Sequence, residues 1–157
     1  MSPSTASSFR HMDKDASLTI ENKSPDHKEN DLQIGFTVEE MANRVESLLQ
    51  SIGLIKNFSP IIYIIGHGAS SVNNPYYAAY DCGACCGRPG SVNARVICFM
   101  ANHLKVREIL LSRGLNIPTT TQFIGAIHDT TRDYIVFYDT CSLNEDNAAH
   151  HIINEKV

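Results

Sequence analysis

The sequence predicts an α/β fold, on three observations. A self-contained amphipathic helix occupies residues 38–52. A short, wholly apolar, β-branched run follows it, Ile61-Ile62-Tyr63-Ile64-Ile65. Two more strand-like runs, 123–127 and 134–138, come after a helical stretch. Helix, strand, long loop, helices, strand, strand is an alternation that favours α/β over all-α or all-β.

The first helix announces both its ends. Thr37 and Glu40 make the T-x-x-E pattern of a capping box. Val38, Met41, Ala42, Val45, Leu48, Leu49 and Ile52 then recur at spacings of three and four, which is one apolar stripe. Gly53 stands where a left-handed residue closes a helix. The run 61–65 suits a strand covered on both faces, as in a parallel sheet, and Gly66-His67-Gly68 is expected to end it. Residues 92–102 and 103–113 read as helices broken near Asn102, with Gly114 as a stop and Pro118 shortly after. Residues 1–33 are polar, mixed in charge and without sustained period. They lack the apolar area to offset ordering entropy and are predicted to be a disordered segment or linker. Residues 142–157 read as a loose tail.

Composition narrows the function. Of 157 residues, 43% are hydrophobic and 19% charged, the balance of a globular chain, and the formal net charge is −4. No basic stripe marks a nucleic-acid footprint, so no nucleic-acid partner is expected. The longest apolar stretch, 61–65, falls far short of a membrane span, so no transmembrane segment is expected within the chain. Residues 1–20 lack the charged and apolar regions of a secretory signal. The five cysteines are odd in number, and Cys82, Cys85 and Cys86 crowd into five positions. A reduced, cytoplasmic chain fits this better than a disulfide framework.

The stretch 69–90 is polar, rich in Asn, Gly, Ser and Cys, and longer than most connections in compact domains, which marks it as functional. In open α/β sheets ligands gather at the C-terminal ends of strands. His67 lies there between two glycines, and Cys82 follows 15 positions later, a loop long enough to fold back on it. Zinc takes thiolate sulfur and imidazole nitrogen together. On spacing alone the alternative stays open: a single Cys is more often a small buried hydrophobe, and this His-x14-Cys-x2-Cys is no standard zinc pattern. Cys98 lies in an apolar helical context and reads as core. Cys85 and Cys86 read as packing or supporting residues, and Cys141 as incidental. His128, at a strand end, is the one other histidine singled out. No phosphate-binding loop is present, and nothing forces a Cys–His protease geometry.

The block Gly66-His67-Gly68-Ala69-Ser70-Ser71-Val72-Asn73-Asn74-Pro75, followed by Tyr80-Asp81-Cys82-Gly83-Ala84-Cys85, resembles the DabA family of probable inorganic carbon transporter subunits. The resemblance runs upstream through Gly35-Phe36-Thr37 and downstream through Asn93-Ala94-Arg95, Arg113-Gly114, Ile117-Pro118 and Ile127-His128-Asp129-Thr130-Thr131, over residues 33–140. Asp81-Cys82-Gly83-Ala84 is also similar to the Cys-Gly-Ala segment of β-carbonic anhydrases. Two departures stand out: Cys86 where the family tends to have glycine, and Asp129 for a usual asparagine.

The resemblance implies a parallel-sheet, β-carbonic-anhydrase-like half-domain, residues 34–141 being the C-terminal part of a zinc domain. It implies Zn2+ held by two cysteines, a histidine and an aspartate, of which His67 and Cys82 are two. The other two ligands belong to a Cys-x-Asp-x-Arg motif, and this chain has no cysteine before Cys82. It further implies a soluble subunit of an energy-coupled uptake complex acting on CO2 and bicarbonate. That subunit would sit at the cytoplasmic face of the inner membrane, held there by a DabB-type membrane partner. With half its ligands, the chain alone is expected to be catalytically inactive. The alternative is a truncated, non-catalytic remnant or interaction module of that family.

Overall fold

The computed structural model describes residues 17–24, 26–70, 81–85 and 87–155. The disorder expected of residues 1–16, the middle of the 69–90 loop (71–80) and Cys86 all lie outside the described residues. The chain divides into two compact units, Ser17–Ile62 with Val96–Phe123, and Tyr63–Arg95 with Ile124 onward.

In the first unit, part of the segment expected to be a linker is structured. Strands β1 (Lys28–Glu29) and β2 (Leu32–Gln33) pair antiparallel. Asn30 and Asp31 turn between them with positive φ, 49° and 63°, the conformation that a two-residue hairpin demands and that these side chains tolerate. Phe36 donates its amide to the Ile20 carbonyl at 2.7 Å and accepts from Asn22 at 2.9 Å. A hydrophobicity reading misses this because the contacts are backbone hydrogen bonds.

Helix α1 (Val38–Ser51) follows the predicted capping box: the Thr37 hydroxyl accepts from the Glu40 amide, and the Glu40 carboxylate accepts from the Thr37 amide at 2.8 Å. Four residues of its predicted stripe, Met41, Ala42, Val45 and Leu49, are almost fully covered, while Ile52, just past the helix, is exposed. Each large side chain so buried contributes on the order of 1.5–3 kcal/mol. Helix α2 (Ser91–Asn102) breaks at His103, and α3 (Leu104–Ser112) continues with Val106 and Leu110 buried. Arg113, at the end of α3, reaches Asn43, Glu46 and Glu39, three residues on one face of α1. Arg107 donates to the carbonyls of Ala101 and Thr121, each at 2.8 Å. Asn102 bonds the Phe123 amide and carbonyl at 2.9 and 2.8 Å. The break at Asn102 thus anchors the chain entering the next strand.

The sheet has the order β3 (Ile61–Gly68), β4 (Gln122–Asp129), β5 (Tyr134–Phe137). Gln122 donates to the Pro60 carbonyl and Thr130 to that of Gly68. The two bonds run in the same order along both strands, so β3 and β4 are parallel. Strands β4 and β5 are antiparallel, Asp129 facing Tyr134 and Ala126 facing Phe137. The expected parallel sheet is therefore corrected to a mixed one. The turn that reverses the chain uses Asp133 at φ 50°, without the Asn-Gly or Asp-Gly pair that signals a hairpin in sequence.

Three further expectations change. β3 does not end before Gly66 but runs through His67 to Gly68. Its apolar run is half-buried, with Ile65 47% exposed, because β3 is an edge strand among the described residues. The predicted tail contains helix α4 (Glu145–Asn154), capped by Asn144, whose side chain accepts from the Asn147 amide at 2.8 Å. The buried residues of α4 are Asn147 and His151.

Candidate functional site

The predicted ligand His67 is the penultimate residue of β3, and its side chain is exposed. Its backbone is fixed from the loop side: the His67 carbonyl accepts from the Gly90 amide at 2.8 Å. Gly66 and Gly90 meet backbone to backbone. A methyl group on Gly66 would stand 2.5 Å from the Gly90 carbonyl, so Gly66 requires glycine, whereas one on Gly90 would stand a tight 3.1 Å from the His67 amide.

The two amides that leave the strand are taken by carboxylates. Ala69 donates to Asp81 Oδ1 at 2.9 Å and Ser70 to Asp129 Oδ1 at 3.2 Å. Asp129 also accepts from the Thr131 amide at 3.1 Å. The chain that carries Cys82 is thereby tied to the end of β3 just before the cysteine, through Asp81. It is tied again after it, through Gly90.

Between these anchors the cysteine loop is a compact turn. The Cys82 carbonyl accepts from Cys85 at 3.0 Å and Gly87 at 3.1 Å, and Cys82 bridges antiparallel to Arg88. Residues Gly83–Cys85 form one 3₁₀ turn. Cys82 and Cys85 are both half-buried, their sulfurs 2.8 Å apart. Asn93, in the first turn of α2, directs its amide to the Cys85 sulfur at 3.3 Å. α2 starts at this point, the Ala94 amide bonding the Gly90 carbonyl at 3.1 Å.

Asp81 is 5% exposed, and its Oδ2 finds no hydrogen-bond partner among the described residues. A carboxylate oxygen so buried needs a hydrogen-bond donor to offset its desolvation. In the sequence Asp81 is marked only by its place before Cys82, which does not reveal its burial.

A cysteine sulfur and an imidazole, two donor types that zinc takes, lie on segments hydrogen-bonded to one another, but among the described residues no group of three or more His, Cys, Asp or Glu side chains could hold an ion together. His128, singled out from the sequence, pairs with Asp133 at 2.9 Å in the turn after β4. Cys98 is buried, as read, and Cys141 is exposed. His151, in the missed helix, is buried, with Nδ1 3.0 Å from the Tyr63 hydroxyl.

A family described as probable inorganic carbon transporter subunit DabA matches residues 1–156, a longer match than the 33–140 on which the resemblance was read. The chain is 65% identical over 156 residues to a probable inorganic carbon transporter subunit DabA from Azotobacter vinelandii, covering 99% of this chain and 18% of that relative. It is 62% identical over 161 residues to one from Nitrosospira multiformis, covering 98% of this chain and again 18% of the relative. A Bacillus subtilis relative is 44% identical over 120 residues, 76% of this chain and 14% of its own length. The chain thus spans under a fifth of the curated relatives it matches most fully. No solved structure matches it. The chain belongs to the DabA family of probable inorganic carbon transporter subunits.

Proposed function

We propose that this chain is part of the zinc-binding portion of an energy-coupled inorganic carbon uptake subunit, with His67 and Cys82 as two of the metal's ligands. The observation that carries the reading is the double anchoring of the cysteine loop to the end of β3, at Asp81 to Ala69 and at Gly90 to His67. The two donors sit on segments that cannot drift apart without breaking these bonds. When bound, zinc supplies a hydroxide near neutral pH for attack on CO2, giving bicarbonate.

The chain's own residues have separable tasks in this reading. The His67 imidazole and Cys82 thiolate bind the ion. The bonds of Gly90 and Asp81 orient the segments that present them. The second carboxylate oxygen of Asp81, buried and without a partner among the described residues, would accept a hydrogen bond from a segment that completes the site. A β-carbonic-anhydrase-like arrangement would draw the remaining cysteine and aspartate from elsewhere in the subunit. A DabB-type membrane protein is the proposed partner at the inner face of the cell membrane. No helix among the described residues is long and apolar enough to cross a membrane.

A second reading is favoured by the scarcity of donors among the described residues: alone, the chain is a non-catalytic remnant or interaction module. One experiment separates them. The corresponding His and Cys are replaced by Ala in the full-length Azotobacter vinelandii relative, and bound zinc and carbon-dependent growth are measured. The proposal expects both to fall together. Full zinc occupancy in the double variant would overturn it. The isolated 157-residue chain is expected to show no CO2 hydration above background.

A further inference from the structure

The geometry points to a second chemistry at the cysteine loop: Cys82 and Cys85 form a reversible dithiol–disulfide pair, a redox modification site at the end of the sheet. The pair follows from local structure. In a 3₁₀ turn, with three residues per turn, side chains at i and i+3 eclipse one another, and Cys82-Gly83-Ala84-Cys85 is such a turn, closed by the Cys85 amide on the Cys82 carbonyl at 3.0 Å. A four-residue turn of this kind brings its end Cα atoms within about 7 Å, close to the span of a disulfide.

The sulfur separation discriminates between two fates for the pair. Two thiolates on one tetrahedral zinc, each about 2.3 Å from the metal, would stand ~3.8 Å apart. A disulfide bond is about 2.05 Å long. The observed 2.8 Å is short of the first and needs only a small closure for the second. Both residues are half-buried rather than sealed, and among the described residues nothing lies within 4 Å of where a side chain on Gly83 would begin. A small oxidant can therefore reach the sulfurs. The Asn93 amide, donating to the Cys85 sulfur at 3.3 Å, holds that sulfur in the turn.

The oxidant is a low-molecular-weight disulfide such as glutathione disulfide. The Cys82 thiolate attacks one of its sulfurs, forming a mixed disulfide and releasing one small thiol. The Cys85 thiolate then attacks the Cys82 sulfur and expels the second small thiol. The two cysteines lose two electrons and two protons, and the small disulfide gains both. One consequence rests on the zinc reading: once oxidised, Cys82 no longer offers a thiolate to the metal, so oxidation and zinc compete for one sulfur.

The test uses the full 157-residue chain, metal-free and zinc-loaded, equilibrated in glutathione buffers of graded potential. Remaining thiols are then alkylated and peptides mapped by mass spectrometry. The expected product is an intramolecular Cys82–Cys85 disulfide, reversed by dithiothreitol, while C85S accumulates a stable glutathione adduct on Cys82. A loop whose cysteines stay reduced while Cys141 is glutathionylated overturns the pair. So does a bond mapped from Cys82 to Cys86, or between chains. Zinc is expected to slow closure several-fold. Closure at an unchanged rate in saturating zinc leaves the dithiol pair standing and removes Cys82 from the metal. Zinc binding that is lost in C82S, with no disulfide at any potential, does the reverse.

Discussion

The backbones of Gly66 and Gly90 lie in direct contact, one at the end of β3 and the other at the start of α2. A side chain at Gly66 would begin 2.5 Å from the Gly90 carbonyl carbon and oxygen. This contact seats the cysteine loop against the strand that carries His67. Gly66→Ala forces the two segments apart, an overpacking that typically costs about 1–3 kcal/mol. Chemical denaturation should show that loss. Hydrogen exchange should show the Gly90 amide, now bonded to the His67 carbonyl, becoming labile. An alanine variant as stable as the parent, with that amide still protected, would contradict the geometry.

Asp81 separates a structural role from an electrostatic one. Its Oδ1 accepts the Ala69 amide, whereas its buried Oδ2 has no partner among the described residues. Asp81→Ala leaves the amide unpaired and should destabilise the chain by about 1–3 kcal/mol. Asp81→Asn keeps the Oδ1 acceptor, so the isolated chain should lose less stability than with Ala. In the full-length relative the same Asn change should weaken zinc retention, if Oδ2 meets a completing segment there. Thermal melts that rank Ala below Asn are the check.

How far the fold could be read depended on where each element keeps its apolar residues. α1 was legible because cap, stripe and stop agree, and Gly53 takes the left-handed conformation at φ 73°. α4 was not, because the face it buries carries Asn147 and His151, four residues apart and both polar. A hydrophobic period cannot register such a face. Asn144 and the acidic pair Glu145 and Asp146 were the available start signal. The direction of β5 was hidden for another reason: Thr130-Thr131-Arg132-Asp133 turns through an aspartate in the left-handed region, a conformation the residue tolerates without announcing. At the site, His67 and Cys82 came from motif and spacing. The anchors Asp81 and Gly90 and the amide of Asn93 depend on hydrogen bonds across the loop, which spacing does not encode.

The capping box of α1 should leave a signature in acid. The Glu40 carboxyl is held below its ordinary value of 4.5, chiefly by the Thr37 amide, then by the Gln33 side chain and the Thr37 hydroxyl. Because its folded pKa is the lower one, Glu40 contributes stability above its unfolded pKa and loses it as pH falls through the folded value. Replacing Glu40 with Gln should therefore flatten the stability curve below pH 4.5 and leave the shape above it unchanged. Thr37→Ala should cost about 1 kcal/mol at neutral pH, the usual loss of an N-cap hydroxyl. Equilibrium unfolding at a series of pH values measures both.

Arg95 offers the sharpest test of the packing behind the site. Its side chain is fully buried, and Asp139 engages it twice, at 2.9 Å to Nε and 2.7 Å to Nη2, from a side chain 48% exposed. The guanidinium also lies over the Tyr138 ring, 5.2 Å from its centroid. Asp139 has φ 56°, a left-handed conformation that asparagine adopts as readily as aspartate. Asp139→Asn therefore leaves the backbone at ease while removing the charge and one of the two acceptors. Breaking a fully buried pair costs about 3–5 kcal/mol, and half-exposure of the carboxylate scales this down to about 2 kcal/mol. Asp139→Ala should cost more than Asn, because it adds left-handed strain to the lost charge. Arg95→Lys should also fall below the parent, since an ammonium cannot make the two-pronged contact. If Asn and Ala prove equally costly, the strain contributes nothing; if Asn is neutral, the carboxylate does not stabilise the buried guanidinium at all.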